Sequence, residues 1–301
     1  MTLHAAISGA SGLIGTMLRK SLAEAGHRVT ALVRRAPGPG EIRWDPAGSG
    51  IDPASLRGVD AVIHLAGENL AEGRWTEERK RKILESRELG TRLLAEAMAR
   101  ATDGPRTLVS ASAIGYYGER GDEELTESSA PGTGFLPEVC VAWEAATAPA
   151  ADAGIRVVRV RTGLLLTPAG GLLRRILLPF RLFAGGRLGD GQQWMSWISA
   201  VDLLRVYRQA LEGDLRGPVN AVAPVAVRNE EFTRVLAKVL HRPAVMVVPS
   251  TALRLAYGQM ADEAILASAR VLPVGLQASG FQFEYAKLEP ALRHLLRVEG
   301  T

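Results

Sequence analysis

The chain has 301 residues, 47% of them hydrophobic and 23% charged, with 36 basic residues against 32 acidic ones and a single cysteine, Cys140. A core of this size needs no covalent staple, and one cysteine excludes an intramolecular disulfide, so the secreted disulfide scaffolds drop out and a reducing, cytoplasmic setting is expected. No apolar run reaches the ~18 residues of a membrane span, no signal-peptide pattern opens the chain, and the basic run Arg79-Lys80-Arg81-Lys82 is bracketed by Glu77, Glu78 and Glu85 as a solvated helix face; neither membrane nor nucleic acid is expected as a partner.

In chain order, short β-rich runs alternate with longer helical patterns. Strands are expected at Leu3 to Ile7, Arg28 to Val33, Asp60 to Leu65, Arg106 to Ser110 and Ile155 to Arg161, with helices over about 13–25, 76–100 and 135–153 between them. This is the pattern of an α/β fold with a Rossmann-type, doubly wound parallel sheet. Past Arg161 glycine punctuates the chain, helices are expected over 200–212 and 229–240, and 251–297 reads as a small helical lobe. The expected division is a dinucleotide-binding domain over 1–215 and a smaller, interleaved C-terminal lobe over 216–301. The charged first half of the 76–100 helix argues against a fully apolar dimer seam, and the oligomeric state stays open.

The most specific motif is Gly9-Ala10-Ser11-Gly12-Leu13-Ile14-Gly15, directly after a strand and opening a helix. Glycine permits the tight turn and lets backbone approach a pyrophosphate, whose charge then meets free amides at the helix N-terminus. Gly9, Ser11, Gly12, Leu13 and Ile14 are the expected contacts. About 20 residues on, an NAD enzyme offers an acid to the ribose diol. No Asp or Glu stands between Glu24 and Glu41, and Arg34 and Arg35 close the second strand instead, so a 2′-phosphate and hence NADP(H) is expected.

The Gly-x-x-Gly-x-x-Gly spacing resembles the extended branch of the short-chain dehydrogenase/reductase superfamily. Leu65-Ala66-Gly67, after the strand holding His64, resembles the segment whose backbone passes the adenine and ribose, with His64 itself most simply a core residue. Ser86-Arg87-Glu88-Leu89-Gly90-Thr91 resembles the helix facing the cofactor, and Arg87 is placed there either to reach a phosphate or to form a surface ion pair. The resemblance sharpens through Leu65 to Asn69, Ser110 to Gly118, Val139-Cys140-x-x-Trp143-Glu144-Ala145-Ala146, Pro179 to Leu182, Gly189 to Gln193 and Arg270 to Pro273. Together these resemble the epimerase-like, atypical extended members, which carry a small C-terminal domain of unknown function. What is implied is NADP(H) and a small-molecule substrate of unstated identity.

The superfamily's acid or base is a tyrosine four residues before a lysine, with an upstream serine orienting the substrate. Ser112 fits the serine. Four residues beyond Tyr116, Tyr117, Tyr207, Tyr257 and Tyr285 stand Arg120, Gly121, Leu211, Ala261 and Glu289, so the pair is missing; by alignment Val139 and Trp143 occupy its positions. The remaining candidates are Ser112 with Tyr116 or Tyr117, one of which equally well packs under its loop. Cys140, between valines, reads as an inert core thiol, Glu144 as a cap on the outer face, and Trp194, Met195 and Trp197 as either core or cleft wall. No metal is expected. Two readings follow: an NADP-dependent oxidoreductase or epimerase-like enzyme, and a non-catalytic NADP(H)-binding regulator or redox sensor.

Overall fold

The computed structural model describes residues 2–48 and 50–298. Strand β1 (His4–Ser8) leads into α1 (Leu13–Glu24), and the chain returns beside β1 as β2 (Arg28–Val33) and then β3 (Glu41–Arg43). Next come β4 (Ala61–His64), the long α2 (Glu77–Arg100), β5 (Thr107–Ala113) and the short β6 (Glu124–Leu125). Helices α3 (Phe135–Ala145) and α4 (Ala148–Asp152) precede β7 (Arg156–Thr162). The single helix expected over 135–153 is thus two. Pro149 has no N–H to bond the carbonyl four residues back, and its ring collides with that carbonyl.

After β7 the chain leaves the sheet through β8 (Leu164–Leu166), α5 (Gly171–Arg181), β9 (Gly186–Leu188), β10 (Trp194–Met195) and β11 (Trp197–Ser199). It comes back by α6 (Ala200–Glu212) to β12 (Gly217–Ala221). The lobe follows with β13 (Val227–Arg228), α7 (Asn229–Leu240), β14 (Met246–Val248), α8 (Ser250–Tyr257), β15 (Arg270–Val271), α9 (Val274–Ala278) and α10 (Leu288–Leu296).

The main sheet has the order β3-β2-β1-β4-β5-β7-β12, and every pairing in it is parallel. This is the Rossmann-type arrangement. It extends past the boundary expected at 215, because β12 is its outermost strand; Pro218 has no N–H to donate, which an edge strand tolerates. Alternate residues of each strand serve opposite faces. Ile7, Ile63, Val109 and Val158 pack on one side with Leu18 and Leu22 of α1 and Leu203 and Val206 of α6, whereas Ala6, Val62 and Leu108 pack on the other with Leu94 and Met98 of α2.

A separate core joins Leu173, Leu177 and Phe180 of α5 and Trp197 of β11 to Phe232 and Leu236 of α7 and Leu292 of α10. The C-terminal lobe therefore closes around a segment that leaves the sheet before its last strand is laid down. The lobe meets the sheet at its last strand, where Asn220 near the end of β12 donates to the Leu272 carbonyl and α9 packs along that edge; such folds place their ligands outside the carboxyl ends of the strands. Among the described residues no helix is long and apolar enough to cross a membrane.

Candidate cofactor and active site

The turn from β1 to α1 is shaped by what cannot fit there. Gly9 has φ +66, and a Cβ on it would lie 2.8 Å from the Ala66 nitrogen and 2.9 Å from the Leu65 carbonyl carbon. A Cβ on Gly15 would lie 2.2 Å from the Gly9 oxygen, so the third glycine sets how closely α1 packs on β1. At Gly12 the nearest atom is the same oxygen at 3.2 Å, with nothing else within 4 Å. Gly12 is the N-cap residue and offers no side chain to α1, and the amides of Leu13 and Ile14 have no acceptor among the described residues. With Ser11 and Gly12 exposed, these amides and the positive end of the helix dipole form an anion cradle open to solvent.

Opposite this turn, the segment after β4 is fixed by Ser8. Its Oγ lies 2.6 Å from His64 Nδ1 and accepts from the Leu65 amide at 3.2 Å. His64 is fully buried, as expected for a core residue, and burial aided by the nearby Arg87 charge pushes its pKa down to about 4. Arg87 makes no surface ion pair. It is buried, donates to the carbonyls of Ile83 (3.1 Å) and Glu68 (3.0 Å), and lies 5.0 Å from the Trp143 ring, which ties Gly67 and Glu68 to α2 and α3.

The two arginines after β2 differ. Arg35 is clamped on Glu41 by two hydrogen bonds of 2.7 and 2.6 Å, which with the Gly38 amide hold the Glu41 carboxyl below its ordinary pKa. Arg34 is exposed and has no hydrogen-bond or ion-pair partner among the described residues. Of the two, Arg34 is the one without an intramolecular partner among the described residues.

Where β5 ends, side chains bind one another. Ser112 donates to Glu144 at 2.7 Å, and Arg161 forks onto both Glu144 oxygens at 2.8 Å each. Arg161 also donates to the Tyr117 hydroxyl (2.9 Å), whose single proton is shared between the Asn220 Oδ1 (2.7 Å) and the Thr126 carbonyl (2.9 Å). Burial opposes the Arg161 charge, but the hydrogen bonds and charge of Glu144, with Tyr117, outweigh it and hold the guanidinium firmly protonated. Burial raises the Tyr117 phenol despite that neighbour. Ser112 and Tyr117 thus sit in a closed network and not on an open cleft, and Glu144 is a buried partner of Arg161 and not an outer cap. Tyr116 differs: its ring lies 3.5 Å from the Arg161 guanidinium, and its half-buried side chain makes no hydrogen bond among the described residues.

A model of the NAD dependent epimerase/dehydratase family matches residues 5–223, and a domain of unknown function, DUF1731, matches 248–295. The chain belongs to the NAD dependent epimerase/dehydratase family. An epimerase family protein of Mycobacterium bovis is 45% identical over 289 residues, covering 95% of each chain. The crystal structure of the human epimerase family protein SDR39U1 with NADPH superposes at TM-score 0.90 with 33% identity, covering 99% of this chain and 100% of that one. A nucleoside-diphosphate sugar epimerase of Corynebacterium glutamicum gives 0.81 with 41% identity, over 98% of this chain and 58% of that one.

In this member of the epimerase family, α3 is the helix on which the resemblance leads us to expect the tyrosine and lysine, and Val139 and Trp143 stand at those positions. Val139 and Trp143 are both buried, and the Trp143 Nε1 finds no partner among the described residues. Cys140 lies between them, 3.8 Å from the Ala113 carbonyl, and burial together with the Glu144 charge pushes its thiol up to about 12, the state of an unreactive core cysteine. Met195 and Trp197 are core, whereas Trp194 is half-buried between Arg228 and Arg270 and donates to Asp122 at 2.7 Å.

Sequence reading missed two residues of the candidate site. Arg161 was legible only as a charge in an apolar strand. Glu263 of the lobe accepts from the Leu136 amide at 2.8 Å and so caps α3 from outside, beside a cavity of about 310 Å³ lined by Gly118, Thr133, Pro137 and Arg254. No local pattern announces a cap supplied from more than a hundred residues away.

Proposed function

We propose that the chain binds NADP(H) and carries out oxidoreductase or epimerase-type chemistry on a small organic substrate, with Tyr116 as the group that holds the exchangeable proton. The observation that carries this is the contrast between Arg35, held by Glu41, and the unpartnered Arg34 beside it, on a β2 end that offers no acid to a ribose diol. The human relative crystallised with NADPH supports the same cofactor.

The residues fit the group. The Leu13 and Ile14 amides meet a pyrophosphate, the open side of Gly12 admits it, Leu65, Ala66 and Gly67 offer backbone along the adenosine half, and Arg87 keeps that backbone in place. Bound NADP(H) supplies or accepts a hydride. On the other side of the cleft Tyr116 has a hydroxyl free of intramolecular partners and a ring laid on a cation, so it can give up or take a proton at its oxygen. Ser112 acts behind it by holding Glu144, and Glu144 holds Arg161.

A second reading, an NADP(H)-binding protein without turnover, is favoured by Val139 and Trp143, neither of which transfers a proton. One experiment separates them. Calorimetry with NADPH and NADH is paired with an assay of NADPH oxidation on a panel of carbonyl compounds. Arg34→Asp should shift preference toward NADH by about ten- to a hundredfold, the worth of one charge-assisted hydrogen bond. Tyr116→Phe should lower turnover by roughly a hundred- to ten-thousandfold and leave NADPH affinity unchanged. Equal affinity of the wild type for both cofactors refutes the NADP(H) assignment; tight NADPH binding with no turnover on any carbonyl selects the second reading.

A further inference from the structure

Two stretches of the chain, 153–189 and 232–261, contain no Asp or Glu, although acidic residues are scattered elsewhere. The fold brings parts of both together. β9 and β14 pair in parallel, Met246 opposite Gly186 and Val247 opposite Arg187, and the Arg242 guanidinium lies 5.0 Å from the Phe183 ring. Around this pairing large apolar side chains stand in solvent: Leu178 and Leu182 one turn apart, Phe183 at 58% exposure, and Val245, Met246 and Val247, the first at 79%. The arginines among them have no carboxylate partner among the described residues. Arg174, Arg175, Arg187 and Arg242 donate to backbone carbonyls, and Arg181 has no partner among the described residues.

Phe183 is held there against its backbone preference. It follows α5 at φ +61, with its amide on the Phe180 carbonyl and the Ala184 amide on the Pro179 carbonyl. That position of a helix-ending turn normally takes glycine, because a side chain costs energy in the left-handed region. Its backbone is strained and its ring is more than half exposed, with the Arg242 guanidinium over it.

We infer that this face docks on an anionic lipid surface. Unneutralised guanidinium groups complement acidic headgroups, and the apolar side chains between them enter the headgroup boundary, the combination that binds amphipathic surfaces to bilayers. A nucleic acid would use the charges but leave the aliphatic side chains in water. The expectation of no membrane partner rested on the lack of a spanning segment, which says nothing of a face that lies on the bilayer.

The test is co-sedimentation of the full chain with vesicles of phosphatidylcholine alone and of phosphatidylcholine mixed with phosphatidylglycerol. Pelleting with the anionic vesicles only, weakened by salt, is expected. Leu182→Asp should lower it at least tenfold, and Arg174→Glu with Arg181→Glu should lower it further. Phe183→Gly guards against a loss caused by unfolding: it relieves the left-handed φ, so resistance to urea should hold or rise while vesicle binding falls several-fold. No pelleting with anionic vesicles, or pelleting that survives Leu182→Asp and Phe183→Gly, overturns the inference. So does a dimer in solution that the same changes dissolve, or binding to single-stranded nucleic acid without binding to vesicles.

Discussion

The two walls of the candidate cleft are built on opposite principles. On the β1–α1 side the groups that would meet a ligand are left unpaired: the amides of Leu13 and Ile14, the open face of Gly12 and the guanidinium of Arg34. On the β5–α3 side nearly every polar side chain is taken, with Ser112, Glu144, Arg161, Tyr117 and Asn220 joined in one buried network. Ligand-binding capacity lies where polar groups are unsatisfied and still reach water. Stability lies where they are satisfied and dry. Changes on the first wall should therefore alter binding without altering the fold, and changes on the second should do the reverse.

The largest effect should come from splitting the buried pair. Arg161→Ala leaves the Glu144 carboxylate uncompensated and should cost about 3–5 kcal/mol, read as a lowered urea midpoint. Replacing Glu144 and Arg161 together by methionines should recover much of that loss, since the charges then vanish as a pair. A single substitution that costs under about 1 kcal/mol would mean that the network carries little of the fold.

Gly12→Val sharpens the contrast from the other wall. Its Cβ meets only the Gly9 oxygen at 3.2 Å, so the urea midpoint should move little, while NADPH affinity should fall by about a hundredfold or more because the branched side chain fills the pyrophosphate approach. Affinity equal to wild type would place the phosphate site elsewhere.

The smallest expected effect belongs to the buried contact between the ends of β1 and β4, where His64 holds Ser8. Its folded pKa of about 4 lies below the unfolded value of 6.5, so the folded chain resists a proton that the unfolded chain accepts. The associated stability is complete above pH 6.5 and is lost as pH falls toward 4, reaching roughly 2 kcal/mol at pH 5. Comparing urea midpoints at pH 7 and pH 5 in wild type and His64→Asn checks this, and an equal pH dependence in both would rule His64 out as its source.

The sequence carried the open wall almost whole. Glycine spacing, a strand before it, a helix after it and a missing acid at the end of β2 are local features, and local backbone geometry is what a glycine turn encodes. It could not separate Arg34 from Arg35, because Glu41, which takes one of them, sits on an edge strand, β3, that three residues do not announce. The closed wall was less legible. Glu144 lies on α3 and Arg161 on β7, and nothing short of their packing says that the two side chains point at each other.

From the sequence alone, then, came the α/β class, the dinucleotide turn, the absence of the tyrosine–lysine pair and the core role of His64, since each depends on residue type at short spacing. The tertiary structure alone decided that β12 belongs to the sheet, that Tyr117 is closed off while Tyr116 is free, that Glu263 of the lobe caps α3, and that two acid-free stretches share one surface. Those are contacts between residues far apart in the chain, fixed by which faces must be buried together, and burial is a property of the assembled core rather than of any segment in it.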